Sequence, residues 1–297
     1  MHTPVLLKEV IEGLNPKTNQ NFIDCTLGEG GHSLEILKLI LPNGKLLGID
    51  FDHRNIDFAK QKFIEAGIEA TNFQLINDNF KNLQSIVKQN QFKSISGILF
   101  DLGLNSYFLD ESQKGFSFRF NEYLDMRFDE KNPLTAFEII NHYSENQIES
   151  ILSELGEESF SKSIAKQIVA TRKNQEIKTT FDLNEVIYQA TPHWYHHRKI
   201  HPSTKTFMAL RIYVNQELEN LKSAISQAAE IIDIHGRIAI IAFHSLEDRI
   251  IKNYFKELIN TNQFKFINKK TIVPKWTEVK QNKRSRSAKL RIIEKIN

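Results

Sequence analysis

The chain has 297 residues, 40% hydrophobic and 25% charged, enough for one large domain or two modest ones around a sizeable core. One cysteine, Cys25, excludes an internal disulfide and a cysteine-based zinc site within the chain, and the longest apolar run, IAIIAF, is strand-sized, far short of the ~18 residues of a membrane span. The net charge of +3 hides an asymmetry: from Lys265 to Asn297 eleven Lys and Arg face only Glu278 and Glu294, a net of +9, which leaves −6 for the preceding residues.

The opening MHTPVLLKEV lacks a basic flank and a long apolar run, so it does not read as a signal peptide. With the single cysteine, this gives the expectation of a reduced, cytoplasmic setting. NFIDCTLG (21–28) reads as a first strand, and GHSLEILKLIL, ended by Pro42 and Gly44, as a helix. Between them lies DCTLGEGGHS, with Gly28, Gly30 and Gly31 in four positions of a chain that has only twelve glycines. Glycine serves a positive φ or a close approach to the backbone, so this turn is either a nucleotide-like cofactor site or a plain strand-to-helix connection. KLLGIDFD (45–52) is a second strand and residues 55–66 a helix. TNFQLIND (71–78) is a third strand, with a helix at 82–88, and SISGILFDLG (94–103) is a fourth. Strands alternating with helices of this length imply βαβ units and a parallel sheet.

From about Ser106 to Ile200 the strand pattern stops. Helical periods appear in NPLTAFEIINHY, SENQIESILSELG, SFSKSIAKQIVATRKN and TTFDLNEVIYQAT, with Ser144 and Ser161 as expected N-caps. TKTFMALRIYVNQELENLKSAISQAAEIID reads as one long amphipathic helix. GRIAIIAFH is a strand, SLEDRIIKNYFKEL a helix capped by Ser245 with Asp248 three residues on, and FKFINK and AKLRIIEKI a closing pair of strands. The expectation is a doubly wound α/β domain (1–105 and 201–297, the second part with the basic segment) interrupted by a helical domain at 106–200.

In such a sheet the ligand lies beyond the carboxyl ends of the strands, at the switch point. Asp50, 22 residues after Gly28, is placed to accept hydrogen bonds from the hydroxyls of a ribose, which NAD and S-adenosylmethionine share. Glu29 would set a negative charge beside a pyrophosphate, whereas a sulfonium cofactor with an ammonium tail tolerates it. Asp78 and Phe80 after strand three lie where an adenine would sit, or fill a loop. Asp101 ends strand four beside the group to be transferred, or caps a helix. His244, ending the next strand, faces the same pocket or is a satisfied structural histidine. HWYHHRKIH holds four of the ten histidines without the partners a metal site needs. With Trp194, Arg198 and Lys199 it suits stacking and phosphate contact on single-stranded RNA, or is a surface loop. KQNKRSRSAK is read as RNA-contacting rather than as a merely flexible basic loop.

Across almost the whole length, in order, the stretches HTPVLLKEVIEGL, DCTLGEGGHS, GIDFD, SGILFDLG, GFSFR, LDMRFD, HPSTKTFMALRIYVNQELENL, IIAFHSLEDRIIKNYF and RSRSAKLRI resemble the bacterial small-subunit ribosomal RNA cytosine-N4 methyltransferases. The resemblance implies a Rossmann-like S-adenosylmethionine-dependent methyltransferase domain with an inserted all-helical, substrate-recognising domain. It implies cofactor contacts at Gly30, Gly31, His32, Asp50, Phe80 and Asp101, and methyl transfer to the exocyclic N4 amine of a cytidine in 16S ribosomal RNA. From its place at the end of strand four, Asp101 is also the candidate catalytic acceptor for that amine. The implied partner is ribosomal RNA within the small subunit, with no membrane, no metal and an open oligomeric state. The polar Asn105–Ser106 after Asp101 are further candidates beside the target amine. Where the family reads Ser-Pro-Gln, this chain has Ser106-Tyr107-Phe108, so no amide contact is expected from Phe108. Lys205 and Met208 replace an Arg and a Gln, which loosens a phosphate clamp there. Two other readings are a non-catalytic RNA-binding protein on the same fold, which has no need of Asp50 or Asp101, and a nicotinamide-dependent dehydrogenase, which Glu29 opposes.

Overall fold

The computed structural model describes residues 4–103, 108 and 111–297. The strands are β1 (Asn21–Asp24), β2 (Leu46–Asp50), β3 (Phe73–Asn77), β4 (Ile95–Asp101), β5 (Arg237–Ala242), β6 (Phe264–Phe266) and β7 (Lys289–Lys295). They form a single sheet in the order β3-β2-β1-β4-β5-β7-β6. The first five pair in parallel, and β7 runs antiparallel between β5 and β6. Successive side chains on a strand point to opposite faces, and the core divides accordingly. Ile23, Leu47, Ile98, Phe100 and Ile240 belong to one buried cluster. Phe22, Leu46, Leu99 and Ile241 belong to another.

Helices cover both faces. Those of the first hundred residues are α1 (Leu7–Leu14), α2 (Gly31–Ile40), α3 (His53–Glu65) and α4 (Leu83–Gln89). Apolar residues of α1, α2 and α3, among them Val10, Ile36 and Phe63, join the Phe22 cluster, while Leu83 and Ile86 of α4 join the Ile23 cluster. The strand order reverses between β1 and β4, which makes the carboxyl ends of those two strands the switch point of the sheet.

The chain forms two compact units, Met1–Gly103 with Leu218–Asn297, and Leu104–Glu217. The second contains α5 (Ala136–His142), α6 (Glu145–Glu154), α7 (Ser161–Arg172), α8 (Thr180–Ala190), α9 (His193–His196) and α10 (Thr204–Asn215) around its own core of Leu124, Ile139, Ile148, Ile164 and Leu210. Its far boundary differs from the 200 expected from sequence. The amphipathic run taken as one helix breaks at Gln216, whose φ of 50° is left-handed, so that α10 ends there and α11 (Glu217–Ile231) begins. The α10 half stays with the helical unit because Phe207, Leu210 and Val214 join its core and Asn215 Nδ2 donates to Met126 O at 2.7 Å.

Two caps are also corrected. Ser144 caps α6 in a capping box with Gln147, as expected. Ser161, however, is the first residue of α7, after the N-cap Phe160. The helix α12 (Ser245–Asn260) is capped by His244 with Glu247 as its box partner, one residue earlier than the Ser245–Asp248 expectation.

Candidate functional site at the switch point of the sheet

Three strands end in aspartates, Asp24, Asp50 and Asp101, and the parallel pairing brings their carboxyl ends together around the glycine turn. Gly28 and Gly30 have positive φ, 51° and 72°, which L side chains enter only at a cost. Gly30 is also closed in, since a Cβ there would sit 2.8 Å from the Phe63 ring, and at Gly31 one would sit 2.4 Å from Pro4. Two of the three glycines therefore answer to packing on α3 and the N-terminal segment. Glu29, between them, is exposed, and Lys62 Nζ donates to its carbonyl at 3.2 Å. An exposed charge is screened, which weakens Glu29 as an argument against a pyrophosphate.

Asp50 is buried, with Oδ2 accepting from Gly28 N at 2.8 Å and Oδ1 from Asp52 N at 2.9 Å. Burial pushes its carboxyl up to about 6, against these hydrogen bonds and one with the Asn55 side chain, and the neighbouring Asp52 charge adds to the rise. With the Asn55 side chain as a third donor, one of the roughly four acceptor sites of the carboxylate stays open. Asp50 thus shapes the glycine turn and still has capacity for a ligand hydroxyl.

Sequence reasoning passed over Asp24. It is buried at the end of β1, its Oδ2 accepting from Ser33 Oγ at 2.7 Å and its Oδ1 from Thr26 N at 3.1 Å. Burial raises its carboxyl above the ordinary carboxylate range. Thr26 Oγ1 in turn accepts from Asp101 N at 2.6 Å, tying the end of β4 to the turn. The available signal was positional: an acid at a strand's carboxyl end, like Asp50 and Asp101.

His32, in the first turn of α2, and Asp101 face each other, with Nε2 and Oδ2 3.6 Å apart. Both His32 ring nitrogens and Asp101 Oδ1 are buried without a hydrogen-bond partner among the described residues. Buried polar atoms without partners are costly, which makes this pair the candidate contact for a ligand at the strand ends.

Phe80, half-buried after β3, packs edge-on against Phe100 with ring centroids 6.0 Å apart. Asp78 is occupied, its Oδ1 accepting from Asn79 N at 2.6 Å and Asn82 Nδ2 at 2.8 Å, which fits the loop role. His244 Nδ1 accepts from Glu247 N at 3.4 Å and its Nε2 lies 3.1 Å from Glu247 Oε1. His244 is thus the N-cap of α12 through Nδ1, while its buried Nε2 makes no hydrogen bond among the described residues. Asn105 and Ser106 lie outside the described residues. Phe108 is a core residue of the helical unit, 5.1 Å from the ring centroids of Phe116 and Phe128. Lys205 Nζ donates to Glu157 O at 2.5 Å, so its ammonium is engaged within the helical unit.

A polar cavity of about 410 Å³, lined by residues including Asn21, Lys45 and Ser94, sits at the opposite ends of the strands. That is the wrong end of a parallel sheet for its ligand.

A family model, the MraW methylase family, matches residues 1–296. The chain is similar to proteins named ribosomal RNA small subunit methyltransferase H. The one from Mycoplasma mycoides is 45% identical over 99% of each chain, and that from Mycoplasma capricolum 47% over 99% of each. The one from Dictyoglomus thermophilum is 44% identical over 99% of this chain and 97% of its own. A full-length match of this kind makes the chain a member of the MraW methylase family.

Proposed function

We propose that the protein transfers a methyl group from S-adenosylmethionine to the exocyclic N4 amine of a cytidine in small-subunit (16S) ribosomal RNA, with the assembled or assembling small subunit as substrate. The observation that carries this reading is the His32–Asp101 pair, whose unpartnered buried atoms lie at the strand end beside the switch point, taken with membership of a methylase family.

The residues present fit the cofactor. Asp50 has acceptor capacity for a ribose hydroxyl, the glycine turn presents backbone, Phe80 supplies an aromatic ring, and His32 supplies ring nitrogens that lack partners among the described residues. When bound, S-adenosylmethionine supplies an electrophilic methyl group on a sulfonium. The rest of the catalysis is positioning. The lone pair of a cytosine amine is delocalised into its ring. An acceptor on one of its N–H groups favours the pyramidal nitrogen and eases proton loss. Asp101 Oδ1 is that acceptor in this reading, with Thr26 Oγ1 holding the Asp101 backbone and Asp24 holding Thr26. The helical unit and the basic segment after Lys265 are assigned to gripping the RNA, in keeping with the +9 balance there.

The test is labelled methyl transfer to small subunits and to naked ribosomal RNA, followed by nucleoside mass spectrometry. N4-methylcytidine in the product is expected. Its absence on both substrates, in a protein that binds S-adenosylmethionine, would sink the reading and favour a non-catalytic RNA-binding role.

A further inference from the structure

The basic segment is not a uniform cloud of charge. Lys265 Nζ pairs with Glu294 at 2.7 Å, and Lys289 and Arg291 both pair with Asp248, at 3.0 and 2.7 Å. These cations belong to the sheet edge. By contrast Lys269, Lys270, Lys275, Lys280, Lys283 and Arg286 are exposed and have no carboxylate within 4.0 Å among the described residues. Among these stands an aromatic ring. Trp276 opens α13 (Trp276–Gln281) and is 74% exposed, more than any other large hydrophobic side chain described. Lys280 Nζ lies 5.4 Å from its ring centroid.

The platform under this ring is ordered. Glu278 Oε1 accepts from Leu6 N at 2.8 Å, and Asn282 N donates to Glu278 O at 2.7 Å. The following 3₁₀ turn, Lys283–Ser287, packs on α13 and is pinned by the fully buried Ser285 and by Ala288. The segment is thus a hydrogen-bonded surface that carries an indole together with several cations free of carboxylate partners among the described residues.

We infer that Trp276 is a base-stacking platform for a single-stranded stretch of the RNA substrate, with Lys275, Lys280, Lys283 and Arg286 contacting the phosphates on either side. An exposed indole on a rigid support loses little entropy on stacking. Every base offers a π face to it, and the surrounding cations match a polyanion. A lone exposed apolar side chain is commonplace. One set among cations that pair with no carboxylate among the described residues is a binding surface. This rests on RNA being the substrate and adds a stacking site outside the methyl-transfer pocket.

The chain has only two tryptophans, Trp194 and Trp276, so Trp194→Phe leaves Trp276 as the sole indole reporter. Titration with a single-stranded oligouridylate should quench its fluorescence, and a duplex of the same length should quench it far less. Trp276→Ala should weaken single-strand binding by about tenfold, with Trp276→Phe retaining part of it. The slope of log affinity against log salt should not change in either variant, because stacking releases no counterion. Lys283→Ala should lower that slope by about 0.7, and S-adenosylmethionine affinity should match wild type in all three.

RNA binding with wild-type affinity in Trp276→Ala, or an unquenched indole, overturns the inference while leaving the methyltransferase reading intact. No binding of the oligouridylate by the wild-type protein also overturns the inference, whereas the methyltransferase reading falls only if methyl transfer to small subunits and to ribosomal RNA is absent. A blue shift with vesicles of equimolar phosphatidylcholine and phosphatidylglycerol, but none with RNA, would overturn it by assigning the surface to a membrane.

Discussion

Asp50 holds two backbone N–H groups, Gly28 and Asp52, at the price of a buried charge. Its carboxyl titrates at about 6 in the folded protein against an ordinary 3.8, chiefly because of burial. Folding therefore takes up a proton in that window, and the contribution of this group to stability is lost as pH rises through the folded value. In ligand-free protein, the stability of wild type relative to Asp50→Asn should rise on going from about pH 8 to about pH 5, by on the order of 1 kcal/mol. Denaturant unfolding of both proteins measures it, and parallel pH curves would refute it. Hydroxyl donors stabilise the ionised form, so S-adenosylmethionine should bind wild type more weakly below pH about 6, with a flat profile in Asp50→Asn. Truncation to Ala costs affinity by about 1.5–3 kcal/mol, but it also strips acceptors from the glycine turn, so Asn is the cleaner probe. At Asp101 the expected split is different. Asp101→Asn should slow single-turnover transfer more than it weakens cofactor binding, because the proposed mechanism assigns the unpartnered Oδ1 to the reacting amine. Equal losses in rate and affinity would make it a cofactor ligand only. Asp50 and Asp101 were legible because a strand end is visible in a pattern of apolar runs. Asp24, the occupation of Asp78 and the core role of Phe108 were not, because each depends on partners that only tertiary structure supplies.

Within single elements, the glycine turn separates two causes that a sequence merges. Gly30 combines a φ of 72° with a filled space against Phe63 and Ala59, whereas nothing lies nearer than 3.9 Å to a Cβ at Gly28. Gly30→Ala should therefore destabilise the fold by about 2 kcal/mol or more, and Gly28→Ala by about 1 kcal/mol, the strain of the left-handed backbone alone. Equilibrium unfolding ranks them, and the reverse order would contradict this account of the turn. A loss of activity in Gly30→Ala then needs no ligand contact to explain it. The βαβ half of the sheet was legible from alternating apolar and amphipathic runs. Boundaries were less so: the break at Gln216 interrupts a pattern that stays helical in its apolar spacing on both sides, and the His244–Glu247 cap competes with a Ser245–Asp248 pair of the same spacing. The short α13 carries no apolar stripe to announce it, so the placement of Trp276 emerged only from the structure.

At the level of the whole molecule, the formal asymmetry of charge overstates what a partner can use, since several of the cations after Lys265 are already paired. Replacing Lys283, Arg284 and Arg286 together by Ala should flatten the salt dependence of binding to ribosomal RNA by roughly 0.7–0.9 for each phosphate left without its cation. Lys265→Ala should leave the slope unchanged, because that cation pairs with Glu294. Equal slopes in the triple variant and wild type would make the segment a merely solvated surface. The order of the strands has a further consequence. β7 is the last strand in the chain, yet it lies between β5 and β6. Until residues 289–295 have been synthesised, β5 is an unprotected edge and β6 has no neighbour, whereas the helical unit is complete some seventy residues earlier. During translation the methylase half should therefore remain open to proteases and to strand-swapping after its insert has already become resistant, so that premature termination before Lys289 yields a folded insert attached to an unfinished catalytic sheet.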